Sequence, residues 1–188
     1  SLQLGLAACS DDAALRTARK ALKRSRLGIH MIPGFATIER DLAPALDCGV
    51  DVVRVASHCT EAALTERHIA FARRKGATAF GVLMMSHMAQ PETLVEEGAK
   101  MESYGAEGLV IMDSAGHYLP DEVHARIGAL RSALTIPVGF HAHNNLGMAI
   151  ANSIAALKAG ATMLDGTARG FGAGAGNAQL EVLVAVLE

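Results

Sequence analysis

What most constrains this chain is a rhythm: short apolar runs recur about every 24 to 29 residues, with stretches of helical length between them. The runs are "GIHMIPG" around Ile29, "DVVRVASH" around Val53, "TAFGVLMMSH" around Val82, "GLVIMDSAG" around Val110, "IPVGFHAH" around Gly139 and "ATMLDGTARG" around Leu164. In intervening segments such as "TEAALTERHIAFARRKG" and "PETLVEEGAKMESYG", apolar residues fall three and four apart, and Gly76 and Gly105 mark the stops. A leading helix over about Asp11 to Arg24 precedes the first run, and "NAQLEVLVAVLE" reads as the helix after the sixth. The runs are continuously apolar rather than alternating, as in a parallel sheet covered by helices. The pattern predicts α/β architecture with about six βα units. No Pro/Ser-rich linker interrupts it, so residues 1–188 are expected to form one partial-barrel catalytic domain without an internal boundary.

Polar residues collect where each run ends: Pro33 and Gly34, Ser57 and His58, Ser86 and His87, Asp113 and Ser114, His141 and His143, Asp165 and Gly166. In parallel α/β folds these C-terminal strand ends converge on the face where sites are built. Contributions from all six runs suit a closed barrel better than an open sheet, whose site draws mainly on the strands at its switch point. A full (β/α)₈ TIM barrel has eight units and about 250 residues, so the expectation is an incomplete barrel.

The pair in "GFHAHNNLG" carries the sharpest chemistry. An extended strand turns residues i and i+2 to one face, so His141 and His143 can aim at one small object. At a strand end, two imidazoles completed by a carboxylate or waters suit Mn²⁺, Mg²⁺, Zn²⁺ or Fe²⁺. Asn144 or Asn145 would cap a helix starting near Leu146, or serve catalysis. In "DSAG", Asp113 and Ser114 either form an ordinary capped turn or supply a supporting carboxylate and a hydroxyl for a substrate carboxylate. His58 and His87 are candidates for orienting ligands or substrate, whereas His30, His68, His117 and His124 read as structural or surface residues. "GFGAGAGNA", residues 170–178, has GxGxxG-like spacing, but after the sixth run instead of the first, which argues against a dinucleotide fingerprint. It remains a glycine loop able to approach an anion closely, with Asn177 positioned to face the site.

Composition excludes several classes. A net charge of -2, from 17 basic and 19 acidic residues, offers no electrostatic footprint for nucleic acid or an acidic membrane, so a small molecule is the expected partner. Hydrophobic residues make up 51% and aromatic ones 4%, so the core must be aliphatic. Cys9, Cys48 and Cys59 are an odd set without CxxC spacing, which fits a reducing compartment, and Cys59 reads as a small buried residue rather than a nucleophile. No apolar stretch approaches the roughly 20 residues of a membrane span, and the opening "SLQLGLAACSDD" lacks signal-peptide features; a cytoplasmic protein is expected.

Several segments together resemble the 4-hydroxy-2-oxovalerate aldolase family, the pyruvate-aldolase branch of the metal-dependent lyase and synthase barrels. They are "VVRVASHCTEA", "GVLMMSHM", "KMESYGA", "HAHNNLG" and "GAGAGNAQLEV", in the family's order and at similar spacing along nearly the whole chain. The HxHNN and GAGN elements are shared with 2-isopropylmalate synthases and hydroxymethylglutaryl-CoA lyases; "SHCTEA" and "LMMSHM" point to the aldolase branch. The resemblance implies that His141 and His143 bind a divalent ion, usually Mn²⁺, that Asn177 reaches it as in some relatives, and that Ser114 lies near the keto acid. The implied reaction is reversible cleavage of 4-hydroxy-2-oxopentanoate to pyruvate and acetaldehyde in meta-cleavage degradation of aromatic compounds, with an acylating acetaldehyde dehydrogenase as partner.

The family's first-strand Arg-Asp-Gly-x-His motif, which supplies a third metal ligand, an enolate-stabilising Arg and a catalytic His, is not found in these residues. Nor is the C-terminal helical region, with its substrate-side Tyr. The expectation is a chain that binds metal weakly, turns over little or no substrate by itself, and has exposed apolar edges that favour homo-oligomerisation or instability. Two other readings stand beside it: an acyl-CoA-dependent condensing synthase or lyase of the same superfamily, and a non-catalytic scaffold.

Overall fold

The computed structural model describes residues 8–188; the first seven residues of the opening segment read above lie outside them. Six strands, β1 (Gly28–Met31), β2 (Val52–His58), β3 (Thr78–Met84), β4 (Leu109–Asp113), β5 (Val138–Ala142) and β6 (Met163–Leu164), form one sheet in the order β1-β2-β3-β4-β5-β6. Every neighbouring pair is parallel. Sequential order in a curled parallel sheet is the barrel arrangement, since a doubly wound sheet reverses its strand order at a switch point. The fold is therefore an incomplete (β/α)₈ barrel, as expected.

The helices are α1 (Asp11–Ala21), α2 (Ala43–Asp47), α3 (Glu66–Arg74), α4 (Pro91–Ser103), α5 (Pro120–Ala133), α6 (Ala149–Lys158) and α7 (Leu180–Leu187). Gly76 and Gly105 follow α3 and α4 with φ of +82° and +99°, the left-handed stops their positions predict. Two boundaries differ from expectation. The first helix ends at Ala21, because Leu22 turns extended and redirects the basic segment that follows. There Arg26 reaches Thr78 Oγ1 at 2.6 Å, while Arg19, from the helix, reaches Asp51 at 2.7 Å. The sixth helix starts at Ala149 rather than Leu146, with Asn144 Oδ1 accepting the Ala149 N–H at 3.1 Å across the intervening turn. Among the described residues no helix is long and apolar enough to cross a membrane.

The pleat divides the sheet into two faces. On the outer face Ile69, Leu94, Met101, Leu109, Ile111, Ile127, Leu130 and Phe140 are fully buried between strands and helices. Each such side chain contributes roughly 1.5–3 kcal/mol relative to exposure. On the inner face one rung runs in register from Ala56 through Val82, Val110 and Gly139 to Met163. These residues are mostly small, so the interior above and below them has room for longer polar side chains.

Candidate metal site at the C-terminal strand ends

In β5 Phe140 points into the outer core, so the pleat turns His141 inward; His143, two residues on, follows it. Their ring centroids are 4.9 Å apart with planes at 68°. His141 Nδ1 lies 2.8 Å from Asp165 Oδ2, and His143 Nδ1 lies 2.8 Å from the Asp113 main-chain oxygen. A carboxylate and a carbonyl only accept, so each ring donates from Nδ1, and in its neutral form carries its lone pair on Nε2. Neither Nε2 has a protein partner among the described residues.

The glycine loop closes over this pair. His143 and Asn177 form an antiparallel bridge, the Asn144 N–H donates to Gly176 O at 2.8 Å, and the Ala178 N–H donates to Ala142 O at 3.2 Å. Gly176 has φ +92°, and a Cβ there would lie 2.2 Å from Gly170 O, so only glycine permits this backbone approach. Asn177 is 8% exposed; its Nδ2 donates to Phe171 O at 3.0 Å, while its Oδ1 is buried without a partner. An acceptor oxygen in that condition carries an unmet desolvation cost unless something binds it.

Two imidazole lone pairs and, from the residue bridged to His143, an unpartnered amide oxygen are N and O donors of the kind that suits a divalent ion of the Mn²⁺, Zn²⁺ or Fe²⁺ type. Among the described residues, no three His, Cys, Asp or Glu side chains cluster as a metal site by themselves, so the fit rests on the pair together with the amide.

Asp113 and Ser114 end β4 beside this centre. The buried Asp113 carboxylate accepts the N–H groups of His117 at 3.2 Å and Tyr118 at 3.0 Å, which makes its side chain a turn cap. Its contact with the histidine pair runs through its carbonyl, to His143 alone. Ser114 Oγ accepts the Met85 N–H at 2.9 Å and steadies Met85 in a left-handed conformation, φ +54°. The Ser114 proton has no protein acceptor among the described residues. His58, at the end of β2, holds Thr60 Oγ1 at 2.8 Å from its Nδ1 and makes no ring contact with the His141–His143 pair. His87 packs edge-on against His117 at 5.0 Å, and burial, followed by the His117 charge, lowers its pKa. The Cys59 thiol donates to Met85 O at 3.2 Å and is pushed up by burial, which keeps it a poor nucleophile.

Sequence reasoning passed over Arg54, and it placed Asp165 at a strand end without giving it a partner. Arg54, in the middle of β2, reaches from below the small-residue rung to Asp165, just past β6, with Nη2 2.7 Å from Oδ2. Burial pulls the Asp165 carboxyl upward, but the His141 and Arg54 contacts outweigh it and hold it below its ordinary value. His30, read above as structural or surface, is exposed and lies in register with Arg54; desolvation first, then the charges of Arg54 and His141, lower its pKa. The available signal was "VVRVA", a charged residue at an inward position of an apolar strand.

A family model described as HMGL-like matches residues 2–188. Proteins named 4-hydroxy-2-oxovalerate aldolase from Spirochaeta aurantia and Pectobacterium atrosepticum are 70% and 60% identical over the whole of this chain, and the match covers 55% of each. The chain thus spans about half the length of these curated relatives. Among solved structures, the Bacillus subtilis HMG-CoA lyase aligns at 21% identity with a TM-score of 0.82, over 93% of this chain and 66% of that one. The carboxyl transferase domain from Rhizobium etli pyruvate carboxylase aligns at 18% identity with a TM-score of 0.86, over 94% and 33%. At those identities the likeness shows the barrel fold, while the match along the chain shows more: the chain belongs to the HMGL-like family.

Proposed function

We propose that the chain supplies the His–His–Asn part of the active site of a divalent-metal-dependent aldolase that cleaves 4-hydroxy-2-oxopentanoate reversibly to pyruvate and acetaldehyde. The observation that carries this reading is the pair of Nδ1-anchored imidazoles, with Asn177, whose Oδ1 is buried without a partner, bridged to His143. The naming of the 70% and 60% identical relatives supplies the substrate. His141, His143 and Asn177 would hold the ion, Mn²⁺ being the expected one, and a bound ion supplies Lewis-acid stabilisation of the enolate charge that C–C cleavage leaves on pyruvate. Ser114, its oxygen fixed by Met85, keeps a proton to offer the keto acid's carboxylate. Asp113 orients His143 and Asp165 orients His141, so neither ring has to reorganise on binding. His58 remains a candidate for contact with substrate from the neighbouring strand end. The acylating dehydrogenase partner is part of the same proposal and rests on the family resemblance alone.

Calorimetric titration with Mn²⁺ and then pyruvate tests the reading. Mn²⁺ binding, and pyruvate binding that requires it, are expected in the wild-type chain and lost when His141→Ala and His143→Ala are combined. Equal binding in that variant, or none in either protein, sinks the site. Cleavage assays with 4-hydroxy-2-oxopentanoate and with an acyl-CoA thioester then separate an aldolase from a CoA-dependent lyase.

A further inference from the structure

The two histidines are held by different devices. His143 donates to a main-chain carbonyl, which follows from the path of β4 and which no side-chain change removes. His141 donates to Asp165 Oδ2, and the same oxygen receives Arg54 Nη2 from the opposite side of the inner face. Arg54 and Asp165 are only 23% and 24% exposed. A hydrogen bond and an ion-pair contact converging on one carboxylate oxygen leave the carboxylate little rotational freedom, and the direction of the His141 ring follows from it. Arg54 can cross to Asp165 because the rung between them is built from Ala56, Val82, Val110 and Gly139. Its Nε and Nη2 lack an aligned hydrogen bond, so the guanidinium is held there by charge rather than by a fork of in-line bonds. A partly buried cation with unmet donors is costly unless it serves the carboxylate it faces.

We propose that Arg54 and Asp165 are positioning residues: the ion pair across the barrel interior fixes the Nδ1–H tautomer and ring orientation of His141, so that its Nε2 is presented to a metal. The proposal rests on the metal-site reading for its purpose, but its core concerns the imidazole and is measurable without metal. A carboxylate accepts only, whereas the amide of Asp165→Asn can also donate, so the substitution releases the tautomer while keeping the shape. Asp165→Asn strands the Arg54 charge, and the double variant Arg54→Met with Asp165→Asn removes that cost and carries the same test if the single variant does not fold.

Two-bond ¹H–¹⁵N correlation spectra of the metal-free chain read each tautomer directly, with His143 as an internal reference. In the wild type, both rings are expected to be protonated on Nδ1. In Asp165→Asn, His141 alone is expected to populate the Nε2–H form, and Mn²⁺ affinity to fall by about 10- to 100-fold. An unchanged His141 tautomer overturns the proposal even where the wild type binds Mn²⁺. So does an unchanged Mn²⁺ affinity in a variant whose tautomer has shifted. A shifted tautomer in a chain that binds no Mn²⁺ in any form supports the positioning and removes the metal reading instead.

Discussion

The two faces of the one sheet are built on opposite terms. The outer face carries Ile111, Leu109, Phe140 and, on the helices, Leu94, Ile127 and Leu130, all without solvent exposure. The inner face carries Arg54, His30, His141 and Asp165, separated by a rung of small residues. Alternation along single strands produces this: in β5, Phe140 packs outward and His141 turns inward one residue later. Dispersion and burial therefore stabilise the fold on one side, while the other side keeps groups whose burial is unfavourable by itself. The lesson is that stability and chemistry can be perturbed separately, strand by strand, by choosing the parity of the residue.

The largest effect should come from the outer face. Ile111→Ala empties a fully buried position in the middle of β4 and should cost about 2–5 kcal/mol. Denaturant unfolding would read that loss, while Mn²⁺ affinity measured on the folded variant should stay within a factor of two or so of wild type. A large fall in Mn²⁺ affinity without loss of stability would break the division of labour between the faces.

Gly176→Ala should show the reverse pattern. The new Cβ would meet Gly170 O at 2.2 Å, and φ of +92° is strained for any other residue, so the loop must shift. Because the loop is paired with His143 through Asn144 and Asn177, the shift draws Asn177 Oδ1 away from the histidines. Stability should fall by about 1–3 kcal/mol, less than for Ile111→Ala, while Mn²⁺ affinity falls roughly tenfold or more. Unaltered affinity in a folded Gly176→Ala protein would detach Asn177 from the site.

Much of this was legible in the sequence because it follows from periodicity and local chemistry. The recurrence of apolar runs gave the six parallel strands, Gly76 and Gly105 gave helix stops, and the i, i+2 spacing put both histidines on one face. What escaped depends on contacts between distant segments. Arg54 and Asp165 are separated by the whole β3–β5 region, and only the curl of the sheet brings them to 2.7 Å. The exposure of His30 agrees with its reading as a structural or surface residue, but nothing near it in sequence tells that its strand lies in register with Arg54. The capping role of Asp113 was one of two local alternatives, and the choice needed the positions of the His117 and Tyr118 amides.

A second carboxylate–arginine pair sharpens the contrast at the smallest scale. Asp51 sits at the other end of the sheet, where it accepts the Leu27 N–H and Arg19 Nη1, each at 2.7 Å, and ties α1 to the start of β2. It touches no histidine of the inner cluster, so its contribution should be to stability alone. The Leu27 hydrogen bond, aided by Arg19, holds the carboxyl below its ordinary value against the opposing effect of desolvation. A carboxyl whose folded pKa lies below its unfolded one stabilises the fold above the unfolded pKa and loses that contribution as pH falls through the folded pKa. Asp51→Asn should therefore lower stability slightly at neutral pH, with the difference from wild type shrinking below about pH 4. Denaturant midpoints of both proteins, compared between neutral pH and about pH 3, read this directly. An offset that stays constant across that range would assign the loss to packing of the amide instead of charge. A change in Mn²⁺ affinity would mean that the two ends of the sheet are coupled after all.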